Sequence, residues 1–330
     1  MNSIGGIFMK ITRYLAFCVI ALAFVYASVC SPVLASIWES GKIVYTCHLG
    51  DLDICSMGPN GGGRAILTTN PADDYDPTWS PDGTEILFVS ERGGQPDVYI
   101  MNANGSNQRR VRRNSGHRTS PTWAPDGRRI AYSWNEEDIY IYNRFTGTSE
   151  FLVAGVNPAW SPDGRHIAFI RGGSRFNPYT GASLYIINVQ TGTERRIVRG
   201  TADAVISDPA WGPQSNYIVF SWLWTTYDGI YSVPRWGGEA TVLNWWEDHL
   251  VSSPAIAPYG GEILVTVYDM FVTETEHIYK ITRGTNNWRR LTSSSDSEYN
   301  SGPDWWHPSS FPVEPQASQL TTTWGELKKK

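Results

Sequence analysis

The sequence predicts an all-β protein, a six-bladed β-propeller of four-stranded blades whose ring is closed by a C-terminal strand completing the N-terminal blade. Three observations predict it. A Pro-x-Trp motif followed by a proline-bearing turn recurs along the chain at blade-like spacing. Each repeat body alternates apolar and polar residues with the period of two that marks strands. The two ends of the chain carry complementary pieces of one repeat.

The motif reads Pro77-Thr78-Trp79-Ser80-Pro81-Asp82-Gly83, and returns at Pro121 to Gly127 and at Pro158 to Gly164. Later copies decay to Pro209-Ala210-Trp211-Gly212-Pro213 and Pro254-Ala255-Ile256-Ala257-Pro258, and the last is Pro303-Asp304-Trp305-Trp306. Successive first prolines lie 44, 37, 51, 45 and 49 residues apart, the period of propeller blades and not of helical repeats near 33. Within one unit, a short strand around Trp79 leads into a tight turn. Pro81 presets the second turn position and Gly83 suits the fourth. Residues 85–90 alternate as a second strand, 97–101 form a third, and a turn at Asn102 to Gly105 leads to a short fourth at 109–111. Residues 138–142, 184–187 and 277–280 repeat the third strand.

The ends give the blade count. Residues 42–45, 52–55 and 65–67 match strands two to four of a blade that lacks its Pro-x-Trp strand, and Pro303 to Trp306 supplies that strand alone. Joining them closes the ring at six blades and removes the open sheet edges of a linear array.

Before the first blade, Lys10 and Arg13 precede an uncharged apolar stretch from Tyr14 to Val29 and a small-residue site ending at Ala35. This is the layout of a secretory signal peptide over 1–35, too short to span a membrane comfortably, so membrane contact is expected only if the segment stays uncleaved. The propeller then covers 36–308, and the Pro-, Ser- and Thr-rich 309–330 reads as a disordered tail. Of four cysteines, Cys47 and Cys55 lie outside the leader. They read either as a disulfide, in keeping with export, or as two small buried thiols. With 13% aromatic and 18% charged residues, 31 Gly and 20 Pro, disorder throughout, collagen and coiled coil are excluded. The net charge of −5, with no basic block longer than Lys328-Lys329-Lys330, argues against nucleic acid as a partner.

The units PTWSPDGTEILFVSERGGQPDVYIMNANG and PAWSPDGRHIAFI closely resemble the WD40-like repeats (PD40) of the TolB β-propeller family, over roughly residues 37–308. The resemblance implies a periplasmic or secreted propeller used for binding, since in that family the propeller binds a peptidoglycan-associated lipoprotein. Family members carry an α/β domain before the propeller. Here the first strand starts within about ten residues of the predicted cleavage site, so that domain is not expected. Similar repeats also gate prolyl oligopeptidase-like and tricorn-like peptidases, but the G-x-S-x-G elbow of a hydrolase domain is missing.

Two sets of residues are candidates for binding. The residues just before each motif proline, in loops entering the first strands, converge on one mouth of the channel: Asp76, Ser120, Asn157, Asp208, Ser253 and Gly302. Tyr75, His117, Asp203, His249, Tyr299 and Asp304 lie nearby, and of these Asp304 joins the binding set. Such a polar ring suits a ligand or a partner's terminus, and it also suits ordinary solvated loops. The second set is an aromatic patch of Trp222, Trp224, Trp236, Trp245 and Trp246, with Tyr227, which serves either sugar or peptide stacking or core filling. The repeated Trp79, Trp123, Trp160, Trp211 and Trp305 are expected to pack between blades, and Asp82, Asp126 and Asp163 to shape turns. No metal-ligand pattern or catalytic constellation emerges from the six scattered histidines. The expectation is a monomeric binding module for a protein of the cell envelope, or a glycan, with no cofactor. The alternative is a propeller enzyme acting on a polysaccharide or lactone at the channel mouth, where His117 would work with Asp76 or Asp208.

Overall fold

Alternating strands joined by tight turns can bury both faces only by stacking sheet on sheet, and six sheets arranged around an axis leave no face uncovered. The computed structural model describes residues 41–112, 116–172, 181–202, 204–223, 228–245, 249–269, 275–285, 287–293 and 299–306. The predicted leader and tail lie outside them.

The first blade contains β1 (Lys42–His48), β2 (Leu52–Met57) and β3 (Ala65–Ile66). Blade two is β4 (Asp74–Trp79), β5 (Glu85–Ser90), β6 (Asp97–Asn102) and β7 (Arg109–Arg110). Blade three runs through β8 (Arg118–Trp123), β9 (Arg129–Trp134), β10 (Asp138–Asn143) and β11 (Ser149–Ala154). Blade four has β12 (Val156–Trp160), β13 (His166–Arg171), β14 (Ser183–Asn188) and β15 (Glu194–Val198). In blade five come β16 (Val205–Trp211), β17 (Tyr217–Leu223), β18 (Gly229–Pro234) and β19 (Thr241–Trp245). Blade six holds β20 (His249–Ile256), β21 (Glu262–Asp269), β22 (Glu276–Thr282) and β23 (Trp288–Arg290). The last strand, β24 (Asn300–Trp306), returns to pair antiparallel with β1, in the sheet order β24-β1-β2-β3. The six-bladed, strand-closed ring expected from the sequence is the fold observed.

The core is divided into six apolar clusters, one between each pair of neighbouring blades. Trp79, Trp123, Trp160, Trp211 and Trp305 each enter the cluster shared with the preceding blade and are 6–7% exposed. In blade six, Ile256 holds that place against Val219 and Ile230. Two of the indoles also tie blades by hydrogen bonds, Trp123 Nε1 donating to Thr78 O at 3.4 Å and Trp211 Nε1 to Ala159 O at 2.9 Å. The tryptophans are therefore wedges, not a carbohydrate platform. Charge adds a further tie, because Arg118 at the start of β8 pairs with Asp97 of blade two at 2.6 Å with both side chains buried. Cys47 on β1 and Cys55 on β2 form a disulfide, with Cα atoms 5.9 Å apart, inside the cluster that joins blade one to blade six.

The Ser-Pro-Asp-Gly segment is a hydrogen-bonded turn. Gly83 N donates to Ser80 O at 2.9 Å, and Asp82 Oδ1 accepts from Ser80 Oγ at 2.6 Å and Thr84 N at 3.1 Å. Burial opposes ionisation of Asp82, but these bonds outweigh it and hold the carboxyl below its ordinary value. Gly83 sits at φ 68° with the Trp306 indole packed where a Cβ would be, so only glycine fits.

Replacing a wedge should cost far more than replacing an exposed tryptophan. Trp160→Ala is expected to lose about 3–5 kcal/mol. Trp236→Ala, at a residue 64% exposed, should lie within about 0.5 kcal/mol of the parent, both read from chemical denaturation midpoints.

Candidate functional site

Each blade's innermost strand is an edge, paired on one side only, so a proline is tolerated there. In every blade it forms part of a β-bulge. On β4, Tyr75 faces Val89 and Thr78 faces Leu87, so Asp76 and Pro77 together oppose the single residue Phe88. The same two-against-one pairing sets Ser120 and Pro121 against Tyr132, and Asn157 and Pro158 against Phe169. It places Asp208 and Pro209 opposite Phe220, Ser253 and Pro254 opposite Val265, and Gly302 and Pro303 opposite Tyr45. All six facing side chains are buried. The first bulge residue is left-handed throughout, with φ of 52° at Asp76, 48° at Ser120, 52° at Asn157, 50° at Asp208, 50° at Ser253 and 57° at Gly302. Asn, Asp and Gly are the residues that enter this region most readily.

These residues therefore sit within strands, not in the entry loops expected from the sequence, because the bulge carries the strand past the proline. The bulge turns them toward the axis. Together with Val205, Ser207 and the motif prolines they line a chamber of about 440 Å³ at one mouth of the channel. A second chamber of about 330 Å³ opens toward the turns and is walled by the wedge tryptophans and by Pro81, Pro125, Pro162, Pro213 and Pro258. The two share Thr78, Pro121, Pro158, Pro209, Pro254 and Pro303, which form the waist between them.

A chain of hydrogen bonds covers one arc of the mouth. Ser120 Oγ donates to Asn157 Oδ1 at 3.0 Å, and Asn157 Nδ2 donates to Asp208 Oδ1 at 3.2 Å. Ser207 Oγ adds a bond to Asp208 Oδ2 at 2.9 Å. Backbone N–H groups of the bulges are satisfied by hydroxyls of the preceding blade, Asn157 N by Ser133 Oγ at 3.1 Å and Gly302 N by Thr266 Oγ1 at 3.2 Å. Sequence reading missed Ser207 and these supporting hydroxyls. Their signal is the recurrence of Thr46, Ser133, Ser221 and Thr266 at one place in the second strands, beside the buried residue that faces the bulge.

Asp76 and Asp208 stand in blades two and five, opposite one another in a ring of six. Water reaches Asp76 from the channel, yet protein walls surround it. Burial, followed by the charge of Asp208, raises its carboxyl pKa to about 6. Burial also raises that of Asp208, against hydrogen bonds from Ser207 and the Ser253 backbone. No Lys, Arg or His lines either chamber among the described residues.

A family of known proteins has this architecture. The TolB β-propeller domain family (PD40) matches residues 40–153 and 105–307. The chain belongs to the TolB β-propeller family. Among solved structures it is similar to TolB from Acinetobacter baumannii, with 17% identity and a TM-score of 0.68 over 81% of this chain and 67% of that one. It is also similar to a chain of a nidogen–laminin complex, at 10% identity and a TM-score of 0.61 over 82% and 99%. An oligogalacturonate lyase in complex with manganese matches at 12% identity and a TM-score of 0.52 over 77% and 74%. At these identities the likeness is one of fold. Among curated proteins, none matches the sequence.

In this TolB-family propeller the remaining candidates separate. Asp304 lies beyond its proline, in the second chamber and not at the mouth. Its Oδ2 accepts Trp79 N at 2.7 Å and Thr78 Oγ1 at 3.0 Å, tying the closing strand to blade two. Tyr75, His117, His249 and Tyr299 do not line the mouth, and Asp203 lies outside the described residues. The aromatic set is not one patch. Trp222 packs against Phe220 and Tyr231, with ring centroids 6.0 and 5.3 Å away, in the interface between blades four and five. Trp236 occupies the hairpin after β18, at the opposite end of the blade from Trp222 and Trp245, both of which flank Gly229. Trp224, Tyr227 and Trp246 lie outside the described residues.

A raised carboxyl pKa is a stability statement. The unfolded chain releases the Asp76 proton near pH 3.8 and the folded one only near 6, so the cost of ionising Asp76 grows between those values and is complete above them. Asn keeps the left-handed bulge and carries no charge. Asp76→Asn should unfold at a higher temperature than the parent at pH 7.5, with the advantage vanishing near pH 4; calorimetry at the two pH values checks it.

Proposed function

We propose that this protein is an extracytoplasmic binding module that recognises a protein partner through the mouth chamber, without catalysis. The observation that supports this most is the acidic, uncompensated chamber held by six rigid bulges. Backbone geometry demands only residues that accept a left-handed conformation, and Ser120, Ser253 and Gly302 meet that demand without charge. Two aspartates at the same station, both with carboxyl pKa values raised by the protein around them, cost stability when ionised, as residues kept for function do. A preformed surface needs no ordering when a partner docks, which favours recognition by a rigid propeller. Family membership and the predicted leader support a place outside the cytoplasm, in the periplasm or beyond. The likeness to a chain from a nidogen–laminin complex is in keeping with a propeller that holds another protein.

The likeness to a manganese-bound oligogalacturonate lyase supports a second reading, a polysaccharide-acting enzyme at the same mouth. Among the described residues, no group of three or more His, Cys, Asp or Glu is placed to hold a metal ion. A tightly held divalent metal in the purified protein, with turnover of oligogalacturonate, would favour the lyase reading over ours.

Val205 and Ser207 lie two apart on β16 and both line the chamber, so Val205→Trp with Ser207→Tyr fills it without touching a left-handed residue. Partners captured from an envelope extract should be identified by mass spectrometry. The parent should retain one protein at least about tenfold better than the filled variant. Equal retention by both would remove the mouth from recognition.

A further inference from the structure

We propose that the mouth chamber binds a protonated amine, a lysine side chain or free amino terminus of the partner, between Asp76 and Asp208. This deepens the binding reading above and rests on it.

The chamber is built to accept hydrogen bonds and to neutralise positive charge. Its waist is mostly proline, which has no N–H to donate, and the hydroxyl of Thr78, the other waist residue, is engaged by Asp304. An anionic ligand finds neither a cation nor a row of donors among the described lining residues. A primary ammonium brings three donors and one positive charge on a flexible stem, the complement of that lining. Asp208 is held in place by Asn157 and Ser207. Asp76 accepts no hydrogen bond from the described residues, and its side is open because the ring position beside it is Gly302. A Cβ there would stand 3.9 Å from both Asp76 Oδ1 and Thr46 Oγ1. A volume of about 440 Å³ has room for a lysine side chain or the first residue of a chain.

The placement of the acids distinguishes an amine from a metal ion. A hard cation such as calcium takes 6–8 oxygens in one tight shell. Here the two carboxylates belong to opposite blades, and no three metal-binding side chains gather among the described residues. An ammonium can pair with one carboxylate while the field of the other still favours it. The remaining strands of the ring bring Ser120, Asn157, Ser253 and Gly302 to the same level, none of them titratable. Binding should therefore weaken between pH 7.5 and pH 5, where Asp76 takes up its proton.

The test uses Nα-acetyl-lysine amide as the probe, titrated into the protein and followed by NMR. The Nζ-acetylated probe and calcium chloride, at matched ionic strength, are the controls. The proposal expects saturable binding of the amine, at least about tenfold weaker binding in the double variant Asp76→Asn, Asp208→Asn, and none of the acetylated probe. Asn preserves the left-handed bulge, so the double variant remains folded. No saturable binding of the amine, equal affinity in parent and double variant, or calcium binding at the chamber in place of the amine would each overturn it. If the amine fails while the filled variant loses its captured protein, the binding reading stands and only the amine is wrong. If both fail, the mouth is not the site.

Discussion

A left-handed residue followed by proline, repeated at one level of all six inner strands, is the constraint on which the rest of this structure depends. Proline cannot donate to a ladder, so each inner strand has to be an edge, and an edge facing an axis makes a channel. The extra residue at the bulge bends the strand there and seats a buried side chain, aromatic in five blades, opposite the pair. Beyond the proline the strand resumes in a register that sends the motif tryptophan back into the preceding blade. The bulge therefore separates two kinds of wall along the axis: small polar side chains on the mouth side, and indoles with prolines on the turn side.

Much of the fold was legible in the chain because its signals are local and repeated. Strand bodies such as Glu85–Ser90 declare themselves by alternation, turns by Pro81 and Gly83, and ring closure by a lone Pro-x-Trp strand at one end facing an incomplete blade at the other. Repetition also identified Trp79 and its counterparts as wedges, since a residue fixed in every blade answers to the ring and not to a ligand. What recurrence could not give was the position of the bulge. From the sequence, Asp76 and Asn157 look like polar loop residues before a strand, and their type is as well explained by a turn as by a bulge. Only the pairing with Val89 and Leu87 on either side of Phe88 shows that the strand has already begun.

The same gap explains Asp304 and the tryptophans of blade five. Asp304 is one residue past its proline, so a single step along a strand carries it from the mouth to the opposite chamber, where it caps Trp79 N. Trp222 and Trp236 are close in sequence, but a β-strand separates them and puts them at opposite ends of one blade. Proximity along the chain is a poor guide in a sheet whose strands run the full height of the ring.

Chemistry at the mouth follows from a choice the backbone leaves open. Six positions must accept a left-handed conformation, two are aspartate, and no basic residue answers them among the described lining. The resulting strain is electrostatic, is held by a rigid frame, and is relieved by whatever positive group enters. The central claim is that Asp76, open to the channel yet walled by protein, faces Asp208 with no cation among the described lining residues to offset it, and its own titration tests this most directly. Carbon-13 NMR of the aspartate carboxyls, assigned through Asp76→Asn, should show Asp76 titrating near about 6 and moving downward when Asp208 is replaced by Asn. Titration near the ordinary carboxyl value of 3.8, unchanged by the loss of Asp208, would contradict the account.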